Sequence, residues 1–243
     1  MARERLTRQE IKHDEFVSFV VRMANWLEDN RRIVIPAVVG LVLVMVLGAG
    51  GRAWWQAREQ KALSALGEVE GRYNATVEGE QQQVFQDTSA GLSYPTREEK
   101  YQAVLESVDE LTEKYRTGAA VTQAIYYRGL ALRQMDRHEE AVTAFEEVLS
   151  RRPSPLARAL SRVALAETHE ASGLWSEAES VYRMLFDEAP AIFPREMALL
   201  GRARCLEQVN ELAEAKALYN QLIDSYPNSP YEREARQRLE ELG

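Results

Sequence analysis

The sequence predicts an all-α protein: a single transmembrane helix followed by an α-solenoid with three clear helical-hairpin repeats, one degenerate repeat and a C-terminal capping helix. Three observations predict it. Nineteen consecutive residues between Arg32 and Arg52 carry no charge, in a chain that is 28% charged. Beyond them, HEEAVTAFEEVLSRRP, WSEAESVYRMLFDEAP and LAEAKALYNQLIDSYP recur at a fixed spacing of 37 residues. The last segment, SPYEREARQRLEELG, is amphipathic and polar on one side, as a terminal cap must be.

The first element, 1–32, is expected to be a cytoplasmic tail. Its stretch HDEFVSFVVRMANWLEDNRR places Phe16, Phe19, Val20, Met23, Trp26 and Leu27 on one helical face. Such a face suits either the membrane surface or a protein partner.

The second element, 33–51, is the transmembrane helix. At about 1.5 Å per residue it reaches about 28 Å, close to the ~30 Å of a bilayer's hydrocarbon. A cleavable signal fits less well, because its apolar core usually follows a short basic start and here 32 residues precede the run. Pro36 is expected in the first turn, where its missing N–H is harmless. Arg31, Arg32, Arg52, Trp54 and Trp55 stand at the two membrane interfaces. Seven Lys/Arg precede the span and three fall in the fifteen residues after it, a bias that keeps the N-terminus in the cytoplasm.

The juxtamembrane helix follows at 52–77, with Leu63, Leu66, Val69 and Tyr73 as its packed face. Residues 78–96, with Gly91 and Pro95, read as a loop or insertion. The repeat domain occupies 97–243. Ala141, Ala178 and Ala215 are 37 apart, as are Phe145, Tyr182 and Tyr219, and Pro153, Pro190 and Pro227. Asp136, Gly173 and Asn210 precede each alanine by five and are the residue types that most readily end a helix in the left-handed conformation. Each unit is therefore helix, tight turn, helix, proline stop. Ser176 and Glu179 form a capping-box pattern. Val104, Val108 and Leu111 mark a fourth, degenerate second helix near 97–115.

This arrangement of small residue, alanine, aromatic and proline resembles the tetratricopeptide repeat. Gly129, Ala166 and Ala203 take the small-residue position of the first helix, while Ile125, Arg162 and Leu199 replace the motif's usual tryptophan. The whole layout, with GRAWWQAREQ after the span, resembles the YfgM-like family, ancillary to the SecYEG translocon. That resemblance implies a bacterial inner-membrane protein with a periplasmic repeat domain. Envelope-assembly and cell-division coordination factors carry similar repeats.

Beyond the span the chain holds 23 basic and 32 acidic residues, a balance that excludes nucleic acid as a partner. The lone Cys205 forms no internal disulfide and reads as a buried, inert thiol. The histidines at 13, 138 and 169 are dispersed, and no phosphate loop, nucleophile elbow or zinc spacing is present. No catalytic residue, cofactor or metal is expected.

A solenoid of this kind offers an extended inner surface for other proteins or peptides. The resemblance places partner contacts on the first helix of each unit: Gln123, Tyr126, Leu130 and Arg133; Leu160, Val163, Glu167 and Glu170; Met197, Leu200, Arg204 and Glu207. Two functions fit: a membrane-tethered adaptor for protein export or envelope folding, with SecYEG and emerging clients as partners, or a structural scaffold subunit of an envelope or cell-division complex.

Overall fold

A computed structural model describes residues 21–23, 25–78 and 92–243. The chain forms two compact units, Met1–Arg58 and Glu59–Gly243, described in turn.

In the first unit residues 21–23 and 25–29 are helical, with Met23, Trp26 and Leu27 exposed. Phe16, Phe19 and Val20, the rest of the expected tail face, lie outside the described residues. A turn at Asn30, whose side chain donates to the Trp26 carbonyl at 2.9 Å, leads into α1 (Arg31–Tyr73). Pro36 therefore lies inside a helix and not in the first turn of one, and it removes one backbone bond there. The apolar run is uncovered: Ile33, Val39, Leu41, Leu43, Val44 and Leu47 are between 51% and 73% exposed. The helix is long and apolar enough to cross a membrane. Arg31, Arg32, Arg52, Trp54 and Trp55 are all exposed, and the Arg58 guanidinium lies 5.5 Å over the Trp54 ring.

The second unit is the solenoid. Ala62, Leu66 and Val69 of α1 are buried in its core, whereas Leu63 is exposed. The packed stripe is thus 62, 66, 69 and 73, and Leu63 stands about 100° away from it. Past α1, β1 (Thr76–Val77) and β2 (Ser93–Tyr94) form a two-residue parallel pair, Thr76 opposite Ser93. The pair lies at the ends of the expected insertion, of which 79–91 fall outside the described residues. Thr96 then caps α2 (Arg97–Tyr115) by accepting from the Glu99 N–H at 3.1 Å.

Three hairpins follow: α3 (Ala119–Gln134) with α4 (His138–Ser150), α5 (Pro155–Ala171) with α6 (Trp175–Glu188), and α7 (Arg195–Gln208) with α8 (Leu212–Ser225). Each helix packs on the next. Asp136, Gly173 and Asn210 have φ of 56°, 73° and 65°, so all three turns are left-handed as their residue types predict. Ala141, Ala178 and Ala215 are fully buried, with Phe145, Tyr182 and Tyr219 against them. A Cβ on Gly129 would lie 2.6 Å from the Phe145 ring, so only glycine admits that contact within the hairpin. Gly201 does the same between repeats, where a Cβ would lie 2.6 Å from the Tyr182 ring.

The expected capping box is not formed. α6 starts at Trp175 on Leu174, which leaves Ser176 inside the first turn. Glu179 instead turns inward, where Arg183 and Arg202 grip its carboxylate and so tie α6 to α7. Burial alone would raise the Glu179 carboxyl, but the two guanidinium groups overcome it and hold it below the usual range.

The expected capping helix is α9 (Glu232–Leu242), which packs on α8. Ala235, Leu239 and Leu242 face the core, while Arg233, Arg236, Gln237 and Glu240 are exposed on the other side. That polar back suits a terminal unit.

Candidate functional site

The first helices α3 and α5 touch each other directly, which puts them on the inner side of the array. Helical spacing sets the expected contact residues in one stripe on each of α3, α5 and α7. The structure divides these residues into three groups.

The first group lines an apolar cleft of about 790 Å³ and comprises Gln123, Tyr126 and Leu160. Tyr127, Val148, Arg151, Arg152 and Leu156 also line it and were not anticipated. Leu156 and Leu160, one turn apart on α5, are 47% and 42% exposed. The Tyr126 ring packs 5.8 Å from Phe145, and the Tyr127 ring 5.2 Å from Tyr73. Burial pushes both phenols above their ordinary range, so both stay neutral. Gln123 donates to Glu70 at 2.9 Å.

The second group lines a polar groove of about 440 Å³ and comprises Glu167, Glu170, Arg204 and Glu207, with Arg133 beside it on Glu167. Its charges are spent on one another across the repeats. Arg133 pairs with Glu167, Arg204 meets Glu170 at 3.3 Å, and Arg238 meets Glu207 at 3.6 Å. Tyr182 donates to Glu170 at 3.2 Å and Tyr219 to Glu207 at 2.9 Å. Burial works against the Arg204 charge, but Glu170 and its neighbours more than offset that. The buried Cys205 sulfur lies 3.6 Å from Glu170. Burial first, and then that carboxylate, push its thiol up to about 12, so it is protonated and unreactive.

The third group faces the core. Leu130, Val163 and Met197 are half-buried against it, and Leu200 is fully buried beside Leu199. Leu200 is closed to any ligand because α7 is packed on both sides, by α6 and by α8.

Two signals pointed to what the sequence reading missed. Leu156 stands one turn before Leu160, a spacing that puts both on one face. Glu170 and Glu207 are 37 apart, in register with Tyr182 and Tyr219. Among the described residues no group of three His, Cys, Asp or Glu could hold a metal ion. The Nδ1 atoms of His138 and His169 are buried without a hydrogen-bond partner, and burial pushes His169 below its ordinary value.

Comparison with known proteins agrees with this geometry. Residues 126–191 and 197–229 match models of the tetratricopeptide repeat. No curated protein matches the chain in sequence. Among solved structures, the nearly identical TPR-like repeats assigned to a kinesin light chain of Podosopora anserina are 17% identical, with TM-score 0.50, over 59% of this chain and 77% of that one. MamA of Desulfovibrio magneticus RS-1 is 18% identical, with TM-score 0.48, over 60% of this chain and 76% of that one. The hairpins with left-handed turns and glycine–aromatic contacts, and the matches over 126–191 and 197–229, identify the solenoid as an array of tetratricopeptide repeats.

Proposed function

We propose that this protein is a membrane-tethered adaptor that binds other proteins, with its repeat domain in the periplasm, serving protein export or envelope protein folding. The observation that carries the reading is the uncovered apolar stretch of α1. Its described large side chains are more than half exposed, and covering apolar surface of this kind is worth roughly 25 cal/mol per Å², so a bilayer is the natural cover. The Lys/Arg bias before the span favours a cytoplasmic N-terminus, and the resemblance to the YfgM-like family favours the export role. Tetratricopeptide repeats support protein partners, and the open cleft on α3 and α5 is a place for one to dock.

The test has two arms. The protein should remain in the membrane pellet after alkali, and alkaline phosphatase fused after Gly243 should be active. Release by alkali, or an inactive phosphatase with a fluorescent cytosolic reporter, would refute the tether. Photo-crosslinking groups at Tyr126 and Leu160 should then capture export clients in living cells.

One observation favours the scaffold alternative. The charges of the polar groove are already paired between repeats, which suits packing more than capture. A scaffold would co-purify with one complex at fixed stoichiometry, and an adaptor with variable clients.

A further inference from the structure

The solenoid has two edges, and the chain enters it at one of them. A Cβ on Gly118, just before α3, would lie 3.0 Å from the Glu59 carboxylate. Further along, Gln123 donates to Glu70 at 2.9 Å and the Tyr127 ring lies 5.2 Å from Tyr73. From Glu59 onward α1 therefore runs alongside α3 in the same direction, and Glu59 stands where the first helices begin. The segments that lead into those helices and into α9, 116–118, 151–154, 189–194 and 226–231, share this entry edge. The tight turns at Asp136, Gly173 and Asn210 form the far edge.

The two edges differ in chemistry. The entry-edge segments hold three arginines and no carboxylate, whereas the second helices begin at the far edge with Glu139, Glu140, Glu177 and Glu214. Arg151 is paired with Glu147 at 2.7 Å, while Arg116 and Arg152 are exposed. Glu59 beside Gly118 and Asp187 before the third segment offset part of this charge, so apolar side chains carry the edge and the arginines bias it. Ile192, at 82%, is the most exposed large apolar side chain among the described residues. It lies between Pro190 and Pro194, in a turn closed by the Phe193 N–H on the Pro190 carbonyl at 2.8 Å and anchored by the buried Phe193 ring. That turn holds the isoleucine out in water, and Leu156, one repeat earlier, is 47% exposed.

We propose that the entry edge rests on the bilayer surface, with Ile192 and Leu156 inserted among the lipid headgroups and Arg116 and Arg152 against their phosphates. The inference rests on the tethered reading and deepens it, by naming the edge of the repeat domain that meets the lipid. Even fully extended, the seven residues from Arg52 to Glu59 reach no further than about 25 Å, so this edge stays close to the membrane. A tether that short keeps the lipid at high effective concentration, and a few contacts suffice. Shallow apolar insertion beside cationic side chains is the usual chemistry of binding at an anionic lipid surface. The far-edge carboxylates are repelled by the same surface, which decides between the two edges.

The test uses the full chain reconstituted in vesicles of equal parts phosphatidylcholine and phosphatidylglycerol, with a trace of headgroup-spin-labelled lipid as quencher. Cys205 is buried, so one added cysteine takes a bimane label, Ala191→Cys on the entry edge or Glu139→Cys on the far edge. Bimane at 191 should be quenched at least twofold more strongly than at 139. Ile192→Ser should remove most of that difference, and Arg116→Glu with Arg152→Glu should reduce it about twofold, with the melting temperature unchanged in each case. Equal quenching at the two positions, or a difference indifferent to both sets of substitutions, would overturn the proposal and leave the edge to a protein partner. The tether is read separately, by flotation of the chain with the vesicles after an alkaline wash. A chain that floats yet shows equal quenching sinks this proposal alone, and one that does not float sinks both.

Discussion

Tyr182 donates its hydroxyl to Glu170 at 3.2 Å, and the same bond recurs one repeat later between Tyr219 and Glu207 at 2.9 Å. In the first repeat both partners change together: Phe145 has no hydroxyl, and Arg133 stands where the glutamate would be. Each glutamate also faces an arginine from the next unit, so the bond links the inside of one hairpin to the hairpin that follows.

Tyr182→Phe should therefore lower stability by about 1 kcal/mol, the usual net worth of one hydrogen bond, measured by urea unfolding. Glu170→Ala should cost more, because it strips a partner from Tyr182 and Arg204 at once. The exchange Glu170→Arg with Arg204→Glu should recover part of that loss but not the tyrosine bond. A tyrosine variant as stable as the parent would show that the hydroxyl is solvated equally well without the carboxylate.

The glycines give a contrast within one chain. Gly129→Ala and Gly201→Ala should each destabilise by about 1–3 kcal/mol, because the new methyl meets a buried aromatic ring that cannot withdraw. Gly67→Ala and Gly71→Ala sit in open helix and should stabilise by about 0.5–1 kcal/mol. Melting temperatures of the four variants should move in opposite directions. A common direction for all four would contradict the ring contacts.

Acid should weaken the fold in two stages. Burial lowers His169 below its ordinary 6.5, with Glu177 and Glu146 opposing more weakly. A depressed pKa means that stability is fully present above 6.5 and is lost as pH falls toward the folded value. Glu179 is likewise held below 4.5, so its contribution is complete above that pH and disappears under it. Urea midpoints measured from pH 8 to 3.5 should show both declines. His169→Gln should remove the upper one; an unchanged profile between pH 7 and 5 would exclude this histidine as its source.

Cys205 should resist maleimide in the folded protein and react only on unfolding, at a rate set by the denaturant, since it is buried and protonated. Labelling of the native chain within minutes at pH 7.5 would show that α7 opens far more readily than its packing suggests.

Much of the fold was legible because it repeats. The register of Ala141, Ala178 and Ala215 located the hairpins, and Asp136 and Asn210 announced left-handed turns through residue type alone. The register could not say which charges of the inner stripe meet. Arg133, Glu167, Glu170 and Arg204 are spread over three helices, α3, α5 and α7, and only the stacking of one hairpin on the next joins them. Leu63 and Leu200 were misplaced for a related reason. A stripe one residue wide is ambiguous when leucine has an apolar neighbour, as with Ala62 and Leu199, and the choice falls to packing. Ser176 and Glu179 followed the capping pattern, but two arginines offered Glu179 a stronger pairing than one backbone N–H.

α9 closes the apolar end of the repeat stack and turns a polar back outward. On its inner side Ala235, Leu239 and Leu242 cover Tyr219 and Leu222, a surface that would otherwise accept another hairpin. A chain cut before Glu232 would present that greasy end to solvent, where two such ends should pair with each other. The twelve residues from Glu232 to Gly243 thus keep the apolar end of one chain from serving as a partner for another.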